Sequence, residues 1–527
     1  VAIQNLQNSP ASSLDAQITN TLFSQNEAGS SIGALRINGD ETPDSLALEV
    51  SNCTFVQNMA ANGNSGALRI DDVNLTEGAI SHCTFTDNSA SGSFGGAITI
   101  GNATVGIERS TFADNTSDLG GGIFIFQNNN SLLPESSIWL KASAFSENSA
   151  DAGGGLMFNN FTPGSTLEID SCSFTGNTTS AISGDGGGAL IQNLASSSGP
   201  DGSMEINITR SLFDGNEASN EFAGGGGLYL RHSGDTVSYL IDSCSFQNNS
   251  VAYIGGAFWI PGGEGAAGQV TRCEFLNNQS DSCCGAVGIY DADITFDDCY
   301  FEGNSTQGTL EGLEGGGAIA INASSSAILN SHFTLNSSAA DGSALYFLND
   351  PALPIGNIRL ENVLIENNAG ENALFANATQ DLQLTNVTLT EESTGLRQED
   401  SLQIELQNCV LNADENLSLA DDFATITSRG GNLSSDSTLA AYLQGFDGFD
   451  DLHGLDPVLD ANFVPMMGSP CIDAGNPNGL TQATDLAGNE RIQGNGVDIG
   501  ALESNLTLSS LKPEPGQPSL AAFPNPS

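Results

Sequence analysis

The residues able to do chemistry in greatest number are carboxylates. Adjacent pairs stand at Asp71-Asp72, Asp297-Asp298, Asp421-Asp422 and Asp450-Asp451, and Asp291 and Asp293 bracket a turn. Oxygen-rich turns suit a hard cation, so Asp291, Asp293, Asp297 and Asp298 are the candidate calcium ligands. Neither EF-hand spacing nor a Gly-Gly-x-Gly-x-Asp repeat accompanies them, and acidic loops that face water give the same pattern. Bases are scarce. Twelve Lys and Arg stand against 63 Asp and Glu, the only lysines are Lys141 and Lys512, and the histidines are His82, His232, His332 and His453. Cys283-Cys284 is an adjacent pair with no His or second Cys-x-x-Cys nearby, which reads as a local disulfide or two free thiols rather than a metal site.

The formal net charge of −51 argues against nucleic acid and anionic membrane as partners, since both would be repelled. It permits divalent cations and basic surfaces. No run of 18 apolar residues is present, so no membrane-spanning helix is predicted. The chain begins Val1-Ala2-Ile3 with no visible signal peptide and reads as a mature or trimmed form.

What must position these groups is a repeat. Phe-x-x-Asn recurs eleven times between Phe23 and Phe333, as in Phe55 with Asn58, Phe85 with Asn88, Phe174 with Asn177, Phe246 with Asn249 and Phe275 with Asn278. The span of 310 residues over ten intervals gives a mean period of 31. A twelfth, degenerate copy is read at Leu364 and Asn367. After each copy comes Gly-Gly-Ala with alternating apolar residues, as in Gly95-Gly96-Ala97-Ile98-Thr99-Ile100. Before it comes a second alternating run, as in Leu167 to Phe174. Both are period-two strands. A unit of two or three short strands cannot bury its own apolar face, but stacked copies can. The fold class is therefore all-β: a right-handed, single-stranded parallel β-helix of about 12 or more coils with a small C-terminal module.

In-register stacking assigns each slot a role. Phe fills the interior on Phe. Asn takes the bend, where it tolerates left-handed angles and its amide reaches the coils above and below. Gly-Gly allows a tight corner. Two residues before Phe the slot is small: Cys53, Cys83, Cys172, Cys244, Cys273 and Cys299, with Ser or Thr elsewhere. These six read as a buried ladder and not as a disulfide framework. Cys409 and Cys471 stand outside that slot and could pair across the last coil. His82 and His332 fall at repeat-variable positions. Arg36 and Arg69 occupy matching places in Gly-Ala-Leu-Arg-Ile strands and read as a surface ladder. A glycan-cleaving lyase would need a base beside acidic calcium ligands, and none is placed for it, so no catalytic residue is assigned and the chain is read as no enzyme.

Phe-x-x-Asn with Gly-Gly-Ala-[Ile/Leu], over residues 20–375, resembles the passengers of chlamydial polymorphic outer-membrane proteins, and also β-helix surface proteins of Bacteroidota. Gly468-Ser469-Pro470-Cys471-Ile472-Asp473-Ala474-Gly475, Thr484-Asp485, Gly488-Asn489-Glu490-Arg491 and Val497-Asp498-Ile499-Gly500-Ala501-Leu502-Glu503 are similar to the choice-of-anchor Q domain, although that family has an aromatic at the place of Leu502. Asp473, Asp485, Arg491, Asp498 and Glu503 are its candidate residues, with the aspartates bonding turn amides. Ala522-Phe523-Pro524-Asn525-Pro526-Ser527, after a Pro-rich linker, resembles the opening of a type IX secretion sorting signal. These resemblances imply repeats over 1–380, terminal coils over 381–440, the anchor-type module over 441–505, and the linker with the start of the sorting signal over 506–527. They imply a secreted protein at the outer-membrane surface, an adhesin or stalk, or else a structural subunit of an appendage. The implied partners are the secretion and anchoring machinery, further copies of itself or related surface proteins, and glycans or a host or prey surface. Long loops at Asn193 to Thr209 and Gly262 to Thr271 favour the adhesin. The repeat pattern is already under way at Ile18 to Phe23, which leaves little room for a cap, so either the natural chain extends upstream or a partner covers that end. Asp-Ser-Leu at 44–46 and 400–402 resembles a Bacteroidota O-glycosylation acceptor.

Overall fold

The computed structural model describes residues 2–4, 15–38, 47–73, 79–128, 137–180, 184–194, 203–233, 236–262, 265–308, 315–322, 324–348, 356–377, 381–399, 403–419 and 425–506. Both Asp-Ser-Leu triplets, Asp421-Asp422 and the 522–527 segment lie outside them.

Alternating apolar residues make strands, and the chain stacks those strands in parallel, one coil on the next. One coil shows the plan. Ser165–Asp170 forms the first face, Ser173–Thr175 the second, the two-residue Thr178–Thr179 the third and Ala189–Leu194 the fourth. Each coil thus carries up to four strand segments, one more than the sequence reading allowed. The two-residue segments escape a periodicity test because they are too short to alternate. The first-face sheet has fifteen strands and the third-face sheet eleven. The second and fourth faces join into one 29-stranded sheet, because Thr388–Glu399 runs through both without a corner. The result is a right-handed parallel β-helix.

The interior is filled in columns. Phe23 and Phe55 stack with ring centroids 4.6 Å apart and planes 4° from parallel, and the column continues ring on ring to Phe333. Beside it runs a buried amide ladder. Asn88 Nδ2 donates to Asn115 Oδ1 at 2.9 Å and to the Phe55 carbonyl at 3.0 Å, while its backbone N–H donates to Asn115 Oδ1 at 3.0 Å. The same triplet repeats at Asn58, Asn177, Asn249 and Asn278.

Two details of the repeat differ from the sequence reading. The left-handed corner residue is the one before the ladder Asn, as at Gln57 (φ 54°), Asp87 (φ 54°) and Asn248 (φ 52°). The ladder Asn itself keeps ordinary angles, since its amide must point inward along the stack. The degenerate twelfth copy is also shifted by one residue. Phe333 pairs with Ile365, and Asn336 donates to Asn368 Oδ1 at 3.0 Å, so Ile365 and Asn368 hold the slots of Phe and Asn. Leu364 and Asn367 sit one place earlier, and Asn367 (φ 53°) is the corner residue.

The cysteine slot is buried along the stack. The Cys53, Cys172 and Cys299 thiols each donate to a carbonyl of the preceding coil at 3.3 Å, those of Ile18, Leu140 and Val270. Cys83, Cys244 and Cys273 do the same. Cys409 belongs to this slot, because its thiol donates to the Leu384 and Gln407 carbonyls at 3.4 Å. Its assignment outside the ladder, and its pairing with Cys471, are corrected: both thiols are free and buried. The sequence reading missed it because Leu411, not Phe, follows two residues on. Burial pushes the Cys83 thiol up to about 11 and those of Cys172, Cys299, Cys409 and Cys471 up to about 12, which leaves them protonated and inert.

Gly-Gly has two separate causes. Gly95 is left-handed (φ 61°), whereas a Cβ on Gly96 would collide with the Gly121 carbonyl oxygen of the next coil.

Replacing Asn177 with Ala strands the Phe145 carbonyl and the Asn148 donors in the interior. A loss of about 2–4 kcal/mol is expected. Because each coil contacts its neighbours only, hydrogen exchange should speed up in the coils around residues 145–216 and stay unchanged beyond Phe333.

Candidate functional site

Strand pleating turns alternate residues of the fourth face outward. Register pairing therefore writes one outward column: Arg36, Arg69, Thr99, Phe124, Met157, Leu190, Tyr229, Trp259, Gly288, Ala320, Tyr346, Phe375 and Arg397. Its middle is apolar and aromatic, and its ends are cationic. Arg69 Nε bonds Asp71 at 2.7 Å and Arg36 reaches the same carboxylate at 3.3 Å. At the other end Arg397 lies 5.8 Å over the Phe375 ring and pairs with Asp341 and Glu399. Phe124, Met157, Leu190, Tyr229, Tyr346 and Phe375 face outward yet are buried, because they pack on one another and on side chains of the adjoining corner.

The column is broken where two small residues follow one another. Gly288 and Ala320 separate Trp259 from Tyr346 and leave a cavity of about 310 Å³. Its walls include Trp259, Tyr253, Tyr290 and Leu348. Its floor includes a disulfide between the adjacent residues Cys283 and Cys284, at a corner where other coils place Gly255 and Gly316. Cys284 is left-handed (φ 65°) as those glycines are. Phe222, 60% exposed, stands at the rim against Tyr253.

Two polar side chains enter this apolar site. Asp185 accepts the Gly224 N–H at 2.9 Å. Burial pushes its carboxyl up to about 6, against the pull of that bond and of the Arg231 charge. Asn322 Oδ1 is buried with no hydrogen-bond partner. Trp259 packs against the buried cluster that contains Tyr229, and burial holds the Tyr229 hydroxyl well above the usual phenol range.

The carboxylates proposed for calcium are not gathered. Asp291 (φ 52°) and Asp298 (φ 57°) are corner residues at opposite ends of the strand Asp293–Asp297, about 20 Å apart along extended chain. Asp293 accepts the Ser325 N–H at 3.0 Å, and Asp297 accepts from Asn330 Nδ2 at 2.7 Å. Among the described residues no three of His, Cys, Asp and Glu are grouped to hold a metal ion, so the calcium assignment lacks its ligand set. Of the histidines, His332 lies 3.2 Å from Glu366 and His232 lies 3.2 Å from the buried Tyr239 hydroxyl.

The C-terminal residues do converge. Asp498 accepts the Asp473 N–H at 2.7 Å and the Ser504 N–H at 2.8 Å. Asp485 accepts the N–H groups of Asn489 and Glu503 at 2.7 and 2.8 Å. Glu503 accepts the Asp498 N–H and pairs with Arg491 at 2.9 Å, both side chains being buried. Burial raises Glu503 above the ordinary carboxylate range against the guanidinium that holds it down. Arg491 also donates to Asn362 Oδ1, so this network is tied to the coils. Its anchor is a second Asn ladder that the sequence reading overlooked. Asn362 donates to Asn330 at 2.9 Å and to the Thr484 carbonyl at 2.7 Å, and Asn408 donates to Asn386 at 3.0 Å and to the Asn476 carbonyl at 2.9 Å. Aligning the coils one residue before the cysteine slot would have found it. Aligning them two residues after Ala of Gly-Gly-Ala would have found the outward column.

The fold and these columns define a parallel β-helix repeat protein. Residues 241–411 match the family described as the right handed beta helix region. That domain is shared by surface proteins, adhesins and some polysaccharide-degrading enzymes. No curated protein matches the chain.

Two outcomes are expected. Arg491→Ala leaves Glu503 buried without its cation and should cost about 3–5 kcal/mol; limited proteolysis should then cut within 456–506 while the coils stay protected. Asp185 is protonated in both states below about pH 4. Between that value and about 6 the folded chain alone retains the proton, so stability falls as pH rises through this window. Asp185→Asn should therefore melt with the wild type at pH 4 and above it at pH 7.

Proposed function

We propose that the chain is a non-enzymatic, secreted surface protein, an adhesin or stalk that presents a binding face on a rigid rod. The observation that carries this reading is the cavity built into the outward aromatic column, walled by Trp259, Tyr253 and Tyr290 with the exposed Phe222 at its rim, since a concave, mostly apolar site with a few polar groups is the usual form of a binding site. The non-enzymatic part is supported by the cavity lining. Glycoside hydrolysis takes two carboxyl groups, whereas Asp185 is the one carboxylate among the described residues that line it. The resemblance of 441–505 to the choice-of-anchor Q domain, and of Ala522 to Ser527 to a type IX sorting signal, assigns secretion and outer-membrane anchoring machinery as partners. The network of the buried Asp485, Arg491, Asp498 and Glu503 with the half-buried Asp473 supports a compact terminal module, and the net charge of −51 suits a repelling, well-spaced surface.

Electron microscopy of the purified chain, with calcium and with a chelator, tests this reading. Isolated rods are expected in both conditions, with fifteen stacked coils giving a length of about 70 Å. Ordered filaments would replace the adhesin by an architectural subunit, and their loss in chelator would restore calcium as a ligand. Shortening of a polysaccharide on incubation would overturn the non-enzymatic reading.

A further inference from the structure

Resting on the adhesin reading, the shape and lining of the Trp259 cavity name its ligand class: we propose that it binds one neutral sugar ring. A cavity of about 310 Å³ lies at the small end of the range for ligand sites, roughly 300–1,000 Å³, and suits a single ring with its substituents. Trp259 and Tyr253 supply flat faces, and the Cys283–Cys284 disulfide and Ala320 supply an uncharged floor. These surfaces match the C–H faces of a pyranose. The edge of such a ring carries hydroxyl groups, which need acceptors as well as donors.

The acceptors are there. Asn322 Oδ1 is buried and unpartnered, and Asp185 has one oxygen engaged by Gly224 N–H. A wholly apolar ligand would leave Asn322 Oδ1 without a bond and Asp185 with the Gly224 N–H alone, a costly arrangement. A cation would find a single carboxylate among the described lining residues, with the Arg231 charge acting on it. An anionic sugar would be repelled by the chain's net charge of −51. A neutral, hydroxyl-bearing ring meets none of these penalties. Because Trp259 already packs against the buried cluster that contains Tyr229, little ordering remains to be done on binding.

The chain has two tryptophans, Trp139 and Trp259, so Trp139→Phe in the full chain leaves Trp259 as the sole indole reporter. The probes are glucose, galactose, mannose, fucose, rhamnose and N-acetylglucosamine, read by fluorescence and by calorimetry. A saturable signal with at least one of them is expected. In the chain that retains Trp139, Trp259→Ala and Asn322→Leu should each weaken calorimetric binding at least tenfold, about 1.4 kcal/mol. Leu22→Ala, at an exposed second-face position outside the column and the cavity lining, should leave it unchanged. Asn322→Leu removes an unpaired buried oxygen, so it keeps the test sound should Trp259→Ala fail to fold. No response to any probe in a folded chain would overturn the proposal. So would wild-type affinity in both cavity variants, or a preference for sialic acid or choline. Cell or glycan-surface adhesion that survives both variants would overturn this site while the adhesin reading stands. Absence of adhesion in the wild type as well would remove both.

Discussion

The amide ladder from Asn58 through Asn336 is the contact on which the rest of the molecule depends. Each buried Asn gives its side-chain N–H groups to the next amide oxygen along the stack and to a carbonyl of the preceding coil. A slip of one residue would leave every member of that chain unpaired in the interior, and a partly satisfied buried network is worse than none. The ladder therefore locks register, which is otherwise weakly specified in strands of two or three residues. The stacked Phe column and the buried thiols follow, because they stand at constant offsets from the Asn.

Locked register has a consequence on the outside. Every outward position becomes a column that runs the length of the rod, so the surface is composed one residue per coil. The fourth face carries arginines tied to Asp71, then aromatics, then the Gly288 and Ala320 gap, then Tyr346, Phe375 and Arg397. A cavity arises here by omission of side chains from a regular lattice, not by bending the backbone. The one unusual backbone feature at the site is the left-handed Cys284, tied to its neighbour where other coils use glycine.

Charge is handled differently at the surface and in the terminal module. Arg210 with Asp170 and Arg272 with Asp242 are half-exposed pairs across first-face corners, and such pairs contribute little. Arg491 and Glu503 are buried, and the Gly500 and Ala501 carbonyls, the Asp498 N–H and Asn362 share their bonding, with Arg491 Nε alone left without a partner. Where the Asn ladder stops, Glu391 takes over as acceptor for Asn368 at 2.8 Å, and the next strand runs on without a corner.

The sequence by itself determined the repeat, its period, the Phe, Asn, Gly and Cys slots, and hence the class of fold. A solenoid reports each interior slot many times, so spacing alone reveals it. Where the motif decayed, at Ile365 and Asn368 and at Cys409, the reading slipped, because only pairing with the adjacent coil sets the offset. The tertiary structure alone decided that Asp291 and Asp293 stay apart from Asp297 and Asp298 along an extended strand, with no metal-holding group of three formed among the described residues. It also brought five distant C-terminal residues together on a second Asn ladder. The cavity belongs to that second kind of information. Trp259, Cys284, Asn322 and Asp185 sit in different coils, and period tells which residues share a column but not which columns and corners meet across the surface.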